Sequence, residues 1–161
     1  MRKELDEKLC ADYPLIFRDR HGDMSKTCMV WGLAVGDGWY NIIDALCANI
    51  QGRIDSRLES IKWAEKWNAR VNDPELEWDA IVERKERPIP EPIEQVVATQ
   101  VKEKFGGLRF YYFGGDDYID GVVAMAESMS YRTCEECGAP GTSTSGGWIR
   151  VLCEEHKNAS T

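Results

Sequence analysis

The chain has 161 residues, 43% of them hydrophobic, and a formal net charge of −8 at pH 7. A chain of this size forms one globular domain, or one domain with a small module, and its acidic charge argues against nucleic acid as a partner, because phosphate binding needs clustered Lys and Arg. The N-terminus lacks the apolar segment of a signal peptide, and no apolar run approaches the ~20 residues of a membrane span, so we expect a soluble cytoplasmic protein without a membrane partner.

The first half of the chain predicts two helices separated by a short strand. Apolar residues at helical spacing predict a helix over residues 2–13, ended by Pro14. The glycine-rich segment 29–39 predicts a strand followed by a turn. Beyond it, apolar residues recur every three or four positions, which predicts a long helix to about residue 70 with Asp37 as its N-cap.

The middle of the chain predicts a β-hairpin. A short charged helix over residues 75–86 and an extended connector with three prolines precede it. Residues 97–112 alternate between apolar and polar, with Gly106-Gly107 between the two runs, as in two strands joined by a tight turn. A helix that ends at Phe105 is the competing interpretation.

A further helix follows the hairpin. Asp116 or Asp117 is its predicted N-cap, and the helix continues to Ser130. The helical spacing predicts that its buried face consists of Ile119, Val122, Val123, Ala126 and Met129.

Four residues near the C-terminus have the spacing of a zinc ribbon. Cys134-x-x-Cys137 and Cys153-x-x-His156 supply three thiols and one imidazole, and turn-forming residues followed by a strand-like run separate the two pairs. A redox CxxC pair is the competing interpretation, but it would not need the second pair. Four protein ligands close the coordination shell, so the pattern predicts a structural Zn²⁺ ion.

Together the elements predict an α+β fold with a long central helix, a small β-hairpin or sheet and a C-terminal zinc ribbon. We expect a core domain over residues 1–131 and a zinc-ribbon module over residues 132–161 that packs on it. The spacers inside the two ligand pairs are acidic, Glu135-Glu136 and Glu154-Glu155, which disfavours phosphate binding by the ribbon.

The hairpin combines basic and aromatic residues, a combination that can hold phosphates and stack on a base. The residues that we predict to bind a small anionic ligand are Trp31, Trp39, Tyr40, Lys102, Lys104, Arg109 and Tyr111. The segment 36–40, GDGWY, adds backbone amides at the start of the long helix, where anions bind. The competing interpretations are an ordinary turn there and a hairpin with a solvated outer face.

The other cysteines, Cys10, Cys28 and Cys47, lie on or near apolar stretches and are interpreted as buried thiols. Once His156 is assigned to the metal, His21 is the remaining histidine. A catalytic pair of Cys28 and His21 is therefore the weakest of the candidate sites.

Three segments together, TCMVWGLAVGDGWYNIIDALC, QVKEKFGGLRFYYFGGDDYIDGVVAMAES and TCEECGAPGTSTSGGWIRVLCEEH, resemble small accessory proteins of tailed bacteriophages and prophages. The resemblance covers the chain from about residue 13 to residue 156. It implies expression in the bacterial cytoplasm and an accessory role, such as countering host defence, rather than a particular activity.

These observations support three hypotheses of function. The first is a non-enzymatic protein that binds and sequesters a small anionic nucleotide. The second is an inhibitor or adaptor that binds a host protein and is held together by the zinc ion, and the third is a nucleotide hydrolase. Scarce histidine and a closed metal shell count against the enzyme, and assembly into a homo-oligomer is left open.

Overall fold

The structure, a computed structural model, describes residues 1–25, 27–75, 85–144 and 147–159. The helices are α1 (Lys3–Asp12), α2 (Tyr40–Val71), α3 (Asp117–Ser130) and α4 (Glu154–Asn158). The strands are β1 (Glu94–Lys104), β2 (Gly107–Gly115), β3 (Thr142–Ser143) and β4 (Val151–Leu152). The α+β class is confirmed, with the long helix, the two-stranded antiparallel sheet and the C-terminal Cys/His cluster, whereas the charged helix predicted at 75–86 falls mainly outside the described residues.

Helix α2 is the longest element, with 32 residues, as its apolar periodicity predicts. Six of its buried side chains fall in the N-terminal half and belong to the main core: Ile42, Ile43, Leu46, Cys47, Ile50 and Ile54. Beyond Ile54, the helix buries Ala64. The first half of α2 is therefore the part that supports the core.

Two predictions for the segment before α2 are wrong. Residues 29–31 form a 3-10 turn, and Ala34 makes a single parallel bridge to Lys102 instead of a full strand. Asp37 does not cap α2, because its carboxylate accepts the backbone N–H of Arg2 and pairs with the Arg2 guanidinium.

Strands β1 and β2 form the predicted hairpin, so the competing helix that ends at Phe105 is wrong. The turn consists of Phe105 and Gly106, one residue earlier than predicted, and both have positive φ, 54° and 78°. Two positive φ values are typical of the type I′ turn, whose twist suits a hairpin. An aromatic residue in this conformation is strained, because its Cβ crowds the backbone.

A β-bulge at Thr99 changes which side chains share a face of the hairpin. Val97 lies opposite Phe113, whereas Val101 lies opposite Phe110. Directly opposite residues share a face, and Phe113 is 72% exposed whereas Phe110 is buried. Val97 and Val101 therefore face opposite sides of the sheet, although simple alternation predicts that they face the same side.

Both outer edges of the hairpin are occupied by hydrogen bonds. Along β1, the backbone of Ala98, Thr99, Val101 and Glu103 bonds to loop residues Ile16, Cys28 and Ala34. Along β2, the N–H of Leu108 donates to Ser130 Oγ at 2.8 Å and the N–H of Phe110 donates to Glu127 Oε1 at 3.0 Å. Helix α3 thus covers one edge with side chains while the loops cover the other with backbone.

Helix α3 begins as predicted, because the Asp116 carboxylate accepts the N–H of Ile119 at 3.2 Å. Ile119, Val123 and Ala126 are buried as predicted. Met129 is 49% exposed, so its predicted burial is wrong, and Val122 is partly buried. In the part of the chain that the structure describes, no helix combines the length and apolar character that crossing a membrane requires.

Candidate metal centre and hairpin face

The four predicted metal ligands lie together. One ligand atom from each of Cys134, Cys137, Cys153 and His156 falls within 4.8 Å of all the others, so the cluster could hold a metal ion. The Sγ atoms of Cys137 and Cys153 are 3.8 Å apart, and Cys134 Sγ is 3.7 Å from Nδ1 of His156. Sulfur atoms about 2.3 Å from a central Zn²⁺ in a tetrahedron would be separated by about 3.8 Å, so the arrangement fits a four-coordinate ion.

Short backbone elements place the ligands. The turn after α3 carries Cys134 and Cys137, and Gly138 follows with φ of +79°. Cys153 lies directly before α4, and His156 lies in its first turn. Strand β4 connects to the first pair through the backbone, because the N–H of Glu135 donates to Val151 O at 2.9 Å.

The neighbouring groups favour a thiolate at Cys153. Hydrogen bonds from the His156 backbone and side chain lower the pKa of Cys153 to about 6. The bond to Cys153 raises the pKa of His156. A thiolate near neutral pH is the form that binds metals.

The Cys/His cluster packs on the glycine-rich turn before α2. The N–H of Gly36 donates to Glu135 Oε1 at 3.0 Å, and the N–H of Gly38 donates to Glu135 O at 2.8 Å. These amides are therefore occupied, and the anion site predicted at 36–40 is not supported there. Glu135 is buried by this contact, and burial raises the pKa of its carboxyl group.

Trp39 joins the same contact. Its ring is fully buried, and its Nε1–H donates to Thr133 O at 2.9 Å. A buried ring cannot stack on a ligand, so the prediction that Trp39 binds a base is wrong. Tyr40 is half-buried against the core, and Trp31 is 73% exposed in its 3-10 turn.

The other predicted ligand-binding residues lie on or beside the outer face of the hairpin. Lys102 and Arg109 are opposite each other in the register, and Tyr111 follows on the same face. Lys102 Nζ lies 5.4 Å from the centroid of the Tyr111 ring. Lys104 is exposed next to the turn, with Nζ 5.4 Å from the Phe105 ring.

The two opposed cations differ in their partners. Arg109 Nη2 donates to Tyr131 Oη at 2.6 Å, and its Nη1 lies 3.8 Å from Glu127 Oε2. The bond to Tyr131 raises the pKa of Arg109. No carboxylate pairs with Lys102 among the described residues. Lys102, like the exposed Lys104 beside the turn, is therefore available to an anion.

Sequence reasoning missed two residues of this face. Phe113 lies two positions beyond Tyr111, so the period-two pattern of a strand could have placed them on one face. Gln100 lies opposite Tyr111, a pairing that depends on the bulge and was not readable from the sequence. The side chains of all three line a groove of about 430 Å³ together with Met24, Ser25, Thr27, Cys28 and Thr99.

Comparisons of the chain with protein-family models, with curated proteins and with solved structures gave no significant match. The proposed function of this protein therefore rests on the Cys/His cluster and on the hairpin face.

Proposed function

We propose that this protein binds and sequesters a small anionic ligand of the nucleotide type on the outer face of its hairpin. The observation that carries the proposal is the exposure of Tyr111 and Phe113, 41% and 72%, on the face that carries Lys102. Exposed aromatic rings offer stacking surfaces to bases, and a neighbouring cation attracts phosphate. The groove of about 430 Å³ has the size of common small-molecule sites.

The charge distribution supports a small ligand rather than a long nucleic acid. The chain has a net charge of −8, so an extended polyphosphate would meet repulsion over most of the surface. A small ligand, by contrast, requires only the cations of the hairpin face to bind its phosphate. The phage resemblance adds a setting in which stoichiometric capture of a nucleotide signal would counter host defence in the bacterial cytoplasm.

Titration calorimetry with a panel of mono- and dinucleotides tests the proposal. We expect one-to-one binding without turnover, and a loss of about 10-fold or more in affinity for Tyr111→Ala, since each base–aromatic stack contributes about 1–3 kcal/mol. Lys102→Glu should also weaken binding, and the loss of affinity should be larger at low salt, where charge interactions are screened less. Lys66→Glu, the same charge change at an exposed position of α2, is the matched control. Unchanged affinity in both hairpin variants would refute the proposed face.

The same proposal assigns a structural Zn²⁺ ion to the Cys/His cluster. Three thiolates and one imidazole in a closed tetrahedral shell are the ligands that zinc prefers in structural sites. Elemental analysis and native mass spectrometry should give one zinc per chain, and Cys137→Ser should reduce the metal content. A different metal at full occupancy would contradict the assignment.

A second candidate function, capture of a host protein, is supported by the tip of the hairpin. Phe105 is 69% exposed in its strained conformation, and Ile149 packs on the adjacent Gly106, next to Trp148, which is 77% exposed. Exposed apolar clusters of this kind mark protein interfaces. In a pull-down from host lysate, this function predicts one partner that Lys102→Glu retains and that Phe105→Asn combined with Trp148→Ala loses. If the variant with Phe105→Asn and Trp148→Ala captures the partner as well as the wild type does, the second candidate function is contradicted.

A further inference from the structure

The groove beside the hairpin face contains a side-chain amide that has no hydrogen-bond partner among the described residues. Gln100 is half-buried, and no hydrogen bond joins its side chain to another residue in the described ranges. Gln95, on the same strand, bonds through Nε2 to Gln51 Oε1 and to Val96 O. Among the described residues, the Gln100 amide therefore keeps a donor and an acceptor for a ligand or water.

Two of the hydroxyl groups that line the groove are already engaged. Ser25 Oγ donates to Asp23 Oδ1 at 2.8 Å. Thr27 Oγ1 accepts the N–H of Met29 at 3.1 Å and lies 3.4 Å from Thr99 O. Of the other polar groups in the groove, the hydroxyls of Thr99 and Tyr111 and the Gln100 amide, the amide presents a donor and an acceptor side by side, so it is the group suited to distinguish one base from another.

We infer that the groove selects adenine, with Gln100 as the residue that determines specificity; this inference rests on the proposed function. Adenine presents the N6 amino donor beside the N7 acceptor, which matches an amide oxygen and an amide N–H in a bidentate pair. Guanine presents two acceptors, O6 and N7, on the corresponding edge, so the amide oxygen would face O6 without a proton between them.

The aromatic rings and the lysine have a different role in this arrangement. Tyr111 and Phe113 stack on any base, because every base has a π face. Lys102 attracts the phosphate of any nucleotide. Affinity then depends on these three residues, and the preference between bases depends on Gln100.

Titration of the full chain with AMP and GMP tests the inference. The wild type should bind AMP about 10-fold more tightly than GMP, within the discrimination that a bidentate amide–base pair gives. Gln100→Ala should bring the ratio of the two affinities close to one. Gln100→Met, which keeps the length but lacks both the amide donor and the amide acceptor, should also lose the preference for AMP, and circular dichroism verifies that both variants are folded.

A second measurement locates the ligand. Cys28 is exposed, so its predicted burial is wrong, and it lines the groove. Bound AMP should therefore slow its alkylation by a maleimide, whereas Gln100→Ala should need more AMP for the same protection.

The outcomes separate the two claims. Equal affinity of the wild type for AMP and GMP, or an unchanged ratio in Gln100→Ala, would overturn the adenine inference and leave nucleotide binding in place. Tight AMP binding without protection of Cys28 would place the ligand outside the groove and would also overturn the inference. Failure of every nucleotide in the panel to bind the wild type would overturn the proposed function itself.

Discussion

Gly38 lies directly against the backbone of Cys134, the buried cysteine of the Cys/His cluster. A Cβ atom on Gly38 would be 2.2 Å from Cys134 O and 2.4 Å from Gly138 N. Contacts this short with backbone atoms cannot be relieved by a rotamer change. The start of α2 and the Cys/His cluster therefore form one packed contact.

Gly38→Ala should destabilise the protein, because the added methyl group must push the turn away from the cluster. Overpacking of this kind costs about 1–3 kcal/mol, and we also expect weaker metal binding. Gly52→Ala is the matched control, since a Cβ atom there meets nothing within 4 Å in the exposed helix and should stabilise α2 by about 1 kcal/mol. Urea unfolding of both variants with metal bound measures the two free energies of unfolding. A Gly38→Ala variant as stable as Gly52→Ala would contradict the prediction.

Removal of the metal should loosen the turn before α2. The amides of Gly36 and Gly38 bond to Glu135, which lies between two ligands. Without the ion that fixes those ligands, hydrogen exchange at both amides should become faster, because opening of the cluster frees them. Exchange measured by NMR before and after chelation tests this, with the Ile50 amide in α2 as the internal control. Unchanged protection at Gly36 and Gly38 would mean that the contact is independent of the metal.

The pair of Asp6 and Arg20 provides a test of buried charge in the core. Asp6 is 6% exposed and receives Arg20 Nη2 at 2.7 Å, while Arg20 Nη1 donates to Val30 O at 3.0 Å. Arg20→Met should lower the free energy of unfolding by about 3–5 kcal/mol, because it leaves the carboxylate buried and unpaired. The double variant Asp6→Leu with Arg20→Met should recover much of the loss. A double variant as unstable as the single one would show that packing, not charge, is responsible.

Two thiols outside the cluster should differ in reactivity. Burial and the nearby Asp6 carboxylate raise the pKa of Cys10 to about 12. A raised pKa keeps the thiol protonated at about pH 8, and the protonated form is not the nucleophile. Alkylation of Cys10 should therefore be much slower than that of the exposed Cys28, and its rate should still be rising with pH at about pH 9. Peptide mass spectrometry over a pH series gives both rates, and equal rates at about pH 8 would contradict the prediction.

The elements that the sequence predicts well are those specified by local pattern. The 32-residue α2 follows from continuous apolar spacing, and the ligands of the cluster follow from two short motifs. Asp116 caps α3 because its carboxylate bonds to a nearby N–H in the same chain segment. Each of these depends on neighbours within a few residues.

The errors come from contacts between distant segments. The sequence predicts an exposed Trp39 ring beside a glycine turn, but the carbonyl of Thr133, 94 positions away, accepts the indole N–H of this residue. Asp37 has the sequence position of a helix N-cap, but its carboxylate bonds to the backbone and side chain of Arg2 instead. The bulge at Thr99, which places Gln100 opposite Tyr111, results from the register of the two strands, and no residue of β1 signals it.

The covered edges of the hairpin restrict how other molecules can meet this protein. An extended peptide usually joins a sheet by pairing its backbone with an exposed edge strand. In this hairpin the loops at residues 16, 28 and 34 and the side chains of Ser130 and Glu127 already satisfy much of the edge backbone. Addition of a further strand would first have to displace these groups, so growth into β-linked aggregates is disfavoured. Other molecules are then recognised by the side chains on the open face of the hairpin.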